Sequence, residues 1–212
     1  MRFHEQLEQL KSVFTAKVPA EAQAAILGHI QEQSGIAWGL REGDSAPKFT
    51  LNNPLGQPVT LHDELAQGPV VLVFYRGGWC PYCNLQLRVY EEALPEIRNL
   101  GGRLMAISPE SSDRTLSMEE QEKLTFPVLS DPDGRVADLY RLRFELPACL
   151  QSVLKNTLRL DLAEINETGR WVLPVPAVYV IDREGTIRRS HADPDFMKRM
   201  EPQEIIDALK RI

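Results

Sequence analysis

The chain has 212 residues, a length that favours one substantial hydrophobic core with additions over two independent domains. Its apolar share of 43% and charged share of 25% are those of an ordinary globular protein, and its net charge of −6 argues against a nucleic-acid-binding surface. The opening Met1-Arg2-Phe3-His4-Glu5-Gln6 has no apolar stretch of signal-peptide length, and no segment approaches the ~20 apolar residues of a membrane span, so a cytosolic protein is expected.

Residues Phe3 to Ala16 and Pro19 to Trp38 are predicted helices, with Phe3, Leu7, Leu10 and Phe14 in one apolar stripe and Ala22, Ile26 and Ile30 in another. They form a helical extension, residues 1–40, ahead of a main domain at 41–212. The stripes suit either packing on the chain's own core or a homodimer interface. Short extended pieces follow at Phe49 to Leu51 and Val59 to Leu61, around the turn-rich Asn52-Asn53-Pro54-Leu55-Gly56.

Val70-Val71-Leu72-Val73-Phe74-Tyr75 reads as a strand buried on both faces. A helix opening after Cys80 leads to a second such strand, Arg103 to Ser108, which makes a βαβ unit. A helix near Ser117 to Lys123, a strand around Phe126 to Leu129 and a helix near Val136 to Leu142 come next. Leu146 to Leu173 reads as an insertion or loop beside the sheet, with a helix near Gln151 to Leu158. Strands Ala177 to Ile181 and Thr186 to Ser190 form a hairpin across Asp182-Arg183-Glu184-Gly185, and Pro202 to Ile212 closes the chain as a helix. This order describes an α/β fold with a mixed central sheet flanked by helices.

Cys80-Pro81-Tyr82-Cys83 stands where a strand gives way to a helix. The first amides of a helix lack intrahelical partners and carry the positive end of its dipole, which favours a thiolate there. Cys80 is therefore expected to be the acidic, exposed, attacking thiol. Cys83 shares a helical stripe with Leu87, Tyr90, Leu94 and Ile97, so it is expected to face inward and to resolve the reaction as a disulfide. Redox catalysis outranks a zinc site. Zinc needs four ligands, the only other cysteine is Cys149, and His4, His29, His62 and His191 are scattered. No metal, flavin or nicotinamide site is evident. Cys149 is expected to be a small buried apolar residue in preference to a further resolving thiol, and His191 a strand-end residue in preference to an acid or base. Arg76 is the cation nearest Cys80 in sequence, suited to stabilising a thiolate or another developing negative charge, though a solvated strand-end residue would look the same. Trp79 is expected to pack as a lid beside the cysteines.

Four segments resemble the alkyl hydroperoxide reductase/thiol-specific antioxidant family, the peroxiredoxins, within the thioredoxin superfamily. They are Gly43 to Leu51, Val70 to Cys83, Thr125 to Asp131 and Pro176 to Gly185. The resemblance implies a thioredoxin-like fold and either peroxide or disulfide reduction, with a thioredoxin- or glutaredoxin-like protein restoring the thiols. In that family a threonine or serine precedes the peroxide-attacking cysteine by three residues, and an arginine precedes the strand after the insertion. Gly77 and Pro176 stand at those places here. Phe74 to Cys83 is itself similar to a thioredoxin active site, which implies that Pro176 shapes the substrate groove and that the Val175–Pro176 bond is cis.

Overall fold

The computed structural model describes residues 2–115 and 123–212. The helix expected at Ser117 to Lys123 falls, apart from Lys123, outside them. The centre is a five-stranded sheet in the order β5-β4-β3-β8-β9. Its strands are β3 (Val70–Phe74), β4 (Arg103–Ser108), β5 (Val128–Ser130), β8 (Ala177–Ile181) and β9 (Ile187–Ala192). β3, β4 and β5 run parallel, with Val70 opposite Arg103 and Ala106 opposite Val128, while β8 pairs antiparallel with β3 on one side and with β9 on the other. This is a thioredoxin-like fold.

Side chains alternate across a strand, so a strand made only of apolar residues needs cover on both faces. Val71 and Val73 point into a core shared with α1 (Phe3–Lys17), α4 (Pro81–Asn99) and α8 (Pro202–Leu209). Leu72 and Phe74 point into a second core with α3 (Leu61–Gln67) and α5 (Arg135–Leu139), where the rings of Phe74, Tyr140 and Tyr179 meet. The α1 stripe packs on the chain's own α4, with the Phe3 and Tyr90 rings 6.4 Å apart. α3 was not expected. At seven residues it is too short to show a period, and its start is set by Thr60, whose hydroxyl accepts from the Asp63 amide at 3.0 Å.

Two small hairpins stand outside the main sheet. One joins β1 (Thr50–Asn52) to β2 (Pro58–Thr60), and the other joins β6 (Arg143–Glu145) to β7 (Val172–Pro174). β6 and β7 pin the two ends of the segment read as an insertion. Between them lie α6 (Ala148–Ser152), its π-helical continuation Val153–Thr157, and α7 (Leu162–Ile165). Leu150, Leu154, Leu162 and Ile165 give this segment a small core of its own, closed by Ile26 of α2 (Ala20–Gln33) and by Trp79. Among the described residues no helix is long and apolar enough to cross a membrane.

The Val175–Pro176 bond is trans, because no cis peptide bond occurs among the described residues. This corrects the expectation. The Val175 amide donates to the Leu142 carbonyl at 2.8 Å and the Pro176 carbonyl accepts from the Asp193 amide at 3.3 Å.

Candidate active site

β3 delivers the chain to the site, and Tyr75 continues it by donating its amide to the Ile107 carbonyl at 3.0 Å. Cys80 is the N-cap of α4 and Pro81 its first residue, where the missing N–H costs nothing. The Cys80 carbonyl accepts from the Cys83 and Asn84 amides at 3.0 and 3.1 Å, which begins the helix. The loop before it is held at Gly78 from two sides. The Gly78 amide donates to Glu110 Oε2 at 2.8 Å, and its carbonyl accepts from Asn84 Nδ2 at 2.7 Å. Burial raises the pKa of the Glu110 carboxyl, and the Gly78 bond only partly opposes it.

Both thiols are enclosed. Cys83 is fully buried, as its place in the α4 stripe requires, but Cys80 is only 2% exposed instead of open to solvent. The correction has a structural cause outside the CxxC motif. Leu10 and Phe14 of α1, Leu154 and Leu158 of the insertion, and Trp79 close over Cys80, leaving it at the wall of an apolar cavity of about 200 Å³.

The two thiols are joined by a hydrogen bond and titrate together. The hydrogen bond to Cys83, followed by burial, pushes the Cys80 thiol well above the ordinary thiol range. Burial also pushes Cys83 up, but the bond from Cys80 and the guanidiniums of Arg199 and Arg76 outweigh it and hold Cys83 well below that range. The two guanidiniums therefore favour a single negative charge on the pair. The first proton lost belongs to the pair.

Arg199 was missed at the sequence level, since it lies between β9 and α8 in no motif. It is 8% exposed. Its Nε donates to the Phe196 carbonyl at 2.8 Å, its Nη1 to Gln86 Oε1 at 2.6 Å and its Nη2 to Cys83 Sγ at 3.5 Å. Arg76 stands on the cavity side. Its guanidinium lies 4.8 Å from the Trp79 ring centre and 4.2 Å from that of Phe196, and it forms no ion pair among the described residues. Flanking rings keep a cation in place without neutralising it.

Arg76, Trp79, Cys80 and Cys83 are thus brought together, and Pro176 is set one step away. Pro176 lines a smaller cavity of about 40 Å³ that shares Arg76 and Phe196 with the first. Cys149 is exposed, against expectation, because α6 turns Leu150 inward and leaves its neighbour outside. His191 sits in β9 opposite Val178.

Gly77 has φ +141°, and a Cβ there would stand 2.4 Å from Trp79 Nε1 and 3.0 Å from Glu110 Cδ. The place where a hydroxyl-bearing residue would stand in the related family is therefore closed to any side chain. Gly77→Ala is expected to lower stability by about 1–3 kcal/mol, the usual cost of a strained backbone position. Thermal melting reads the loss, and a shifted tryptophan emission reads the displacement of Trp79.

A mixed five-stranded sheet with a dithiol at the start of the helix after β3 defines a thioredoxin-like redox protein. Residues 43–190, more than half of the chain, match the AhpC/TSA family, and the chain belongs to that family. It is 29% identical over 157 residues to "Putative peroxiredoxin Rv2521" of Mycobacterium tuberculosis, covering 73% of this chain and 94% of that one. It is 34% identical over 102 residues to peroxiredoxin Bcp of Escherichia coli, covering 48% and 64% respectively. The crystal structure of peroxidoxin BcpB from Mycobacterium tuberculosis superposes with a TM-score of 0.65 at 20% identity, covering 82% of this chain and 98% of that one.

Proposed function

We propose that this protein is a thiol-dependent peroxide reductase in which Cys80 attacks and Cys83 resolves. The observation that carries the reading is a Cys80 sulfur at the wall of an apolar cavity large enough for a small molecule, beside an Arg76 that forms no ion pair among the described residues. In the first step the Cys80 thiolate attacks one peroxide oxygen. The S–O bond forms as the O–O bond breaks, and the departing oxygen takes a proton from solvent to leave as an alcohol or water. Arg76 is placed to stabilise the charge developing on these oxygens. Cys83, releasing its proton to solvent and favoured as a thiolate beside Arg199, attacks the sulfenic sulfur of Cys80. Hydroxide leaves, takes a proton from solvent, and the Cys80–Cys83 disulfide remains.

A dithiol returns two electrons and two protons by exchange. A thioredoxin- or glutaredoxin-like protein in the cytoplasm fits that role, with Trp79 and Pro176 shaping the approach to the disulfide. A thiol–disulfide oxidoreductase is the second reading, favoured by the bare Gly77 and by Pro176 at the arginine's place.

Stopped-flow tryptophan fluorescence separates the two. The reduced protein is mixed with hydrogen peroxide, with an organic hydroperoxide, or with an oxidised protein disulfide at matched concentration. A peroxide phase faster than the disulfide phase, and lost in Cys80→Ser, is expected. A slow phase with every peroxide and a fast one with the protein disulfide would overturn the peroxidase in favour of the oxidoreductase.

A further inference from the structure

Breaking the O–O bond leaves charge on the departing oxygen, and the apolar wall around Cys80 makes an unrelieved charge costly. Arg76 can stabilise that charge but does not give up a proton in a protein. Besides Cys80 and Arg76, the cavity wall holds three side chains with an N–H or O–H proton, namely Lys17, Trp79 and Tyr82. An indole donates a hydrogen bond without surrendering its proton, and Lys17 is exposed in the last turn of α1. Tyr82 differs from both. It is 3% exposed, and its hydroxyl is fully buried with no hydrogen-bond partner among the described residues. Buried hydroxyls nearly always have a partner, so an unpartnered one beside a reactive thiol calls for a functional reason. The Tyr82 ring meets the Phe196 ring edge-on at 5.4 Å, and the Arg76 guanidinium lies 4.2 Å from the centre of that same ring. Phe196 thus sets phenol and guanidinium side by side on the wall that carries Cys80.

Resting on the peroxidase reading above, we propose that Tyr82 is a further catalytic residue, the acid that hands a proton to the departing peroxide oxygen. The Cys80 sulfur supplies the electron pair that forms the S–O bond. The pair of the breaking O–O bond goes to the departing oxygen, and the phenol proton follows it. Water or an alcohol leaves, and the phenolate takes a proton back from solvent, so solvent remains the ultimate source. Tyr82 itself is neither oxidised nor reduced. Its acidity suits the step. Burial, followed by the charge on Cys80, pushes the phenol up to about 12. That is still below the value of about 15.7 for water, so transfer to a departing hydroxide runs downhill.

The test mixes the reduced full chain in stopped flow with hydrogen peroxide, whose leaving group is hydroxide, or with peracetic acid freed of hydrogen peroxide, whose leaving group is acetate. Acetate is too weak a base to need the proton. Tyr82→Phe keeps the ring on Phe196 and removes no hydrogen bond of the resting protein, so its melting temperature should be unchanged or higher. Its rate constant with hydrogen peroxide should fall about a hundredfold, the lower end for general-acid catalysis, while that with peracetic acid stays nearly unchanged. The ratio of the two is internal to one variant, so a defect that merely slows Cys80 moves both rates and not the ratio. An unchanged rate with hydrogen peroxide, or an equal fall with both oxidants, would overturn the role of Tyr82 and leave the peroxidase standing. Should Tyr82→Phe fail to fold, 3-fluorotyrosine at position 82 keeps the hydroxyl and makes it more acidic. It should raise the ratio of hydrogen peroxide to peracetic acid, and an unchanged ratio would overturn the proposal in the same way. A wild-type chain that reduces neither oxidant would remove the peroxidase reading itself, and the role of Tyr82 with it.

Discussion

Cys80→Ser is expected to abolish peroxide turnover, and Cys83→Ser is expected to preserve one turnover per chain and then stop until an external thiol arrives. The asymmetry follows from burial and not from acidity. Cys83 is fully buried beneath Cys80 beside Arg199, away from the cavity. A peroxide oxygen meets Cys80 first. Removing Cys83 also removes the hydrogen bond that does most to raise the Cys80 pKa, leaving a lone thiol beside Arg76. In Cys83→Ser, peroxide should therefore leave a sulfenic acid on Cys80 that persists long enough to be trapped by dimedone, giving one mass adduct per chain. Catalysis by Cys80→Ser at the wild-type rate would end the assignment of Cys80 as the nucleophile. A stable mixed disulfide with a protein, formed in Cys83→Ser without a peroxide-dependent adduct, would instead favour the oxidoreductase.

The strands and the dithiol were legible because their signals are local. A run such as Val70 to Tyr75 has one natural place, the middle of a sheet, and CxxC before an apolar stripe has one natural place, the start of a helix. Strand ends moved by a residue or two, as with β5 at Val128–Ser130 and β9 at Ile187–Ala192. What escaped the sequence is what other segments do to the site. Cys80 is buried by α1 and by Leu154 and Leu158, which lie about 70 residues away on either side and carry ordinary apolar patterns. The trans Val175–Pro176 bond has no local signal in the spacing around Pro176. The electrostatic support of the thiol pair includes Arg199, 116 residues after Cys83. A buried arginine is written in sequence like an exposed one. The one clue lay in Gln86, a polar residue on the α4 face that carries Cys83, Leu87 and Tyr90 inward, and so in need of a partner.

Arg199→Met is expected to move the first thiol ionisation of the pair upward by about one to two pH units. A hydrogen bond to a charged group contributes about 1.5–3 kcal/mol, and each pH unit corresponds to 1.36 kcal/mol. The sign is fixed by which form the guanidinium favours. It attracts the thiolate, so the pair ionises below the ordinary thiol range in the native protein, and losing the charge returns it toward that range. The thiolate is the nucleophile, so reaction with peroxide falls as pH drops through this ionisation. The wild-type pH–rate profile should therefore have its acid limb below that of Arg199→Met, and at pH values below the wild-type midpoint the variant should be about tenfold slower or more. Thiolate ultraviolet absorbance against pH reads the same midpoint without turnover. A purely structural Arg199 would lower stability without moving either midpoint, because its bonds to Gln86 and the Phe196 carbonyl would be lost in the same way. Arg199→Lys separates the two roles further. Lysine keeps the charge but lacks the planar fork that reaches Gln86, the Phe196 carbonyl and Cys83 together, so it should restore part of the midpoint and little of the stability. If the two variants share an unshifted midpoint, the low ionisation of the pair must come from Arg76 and the α4 N-terminus alone, and the long reach from residue 199 to the site is a matter of packing.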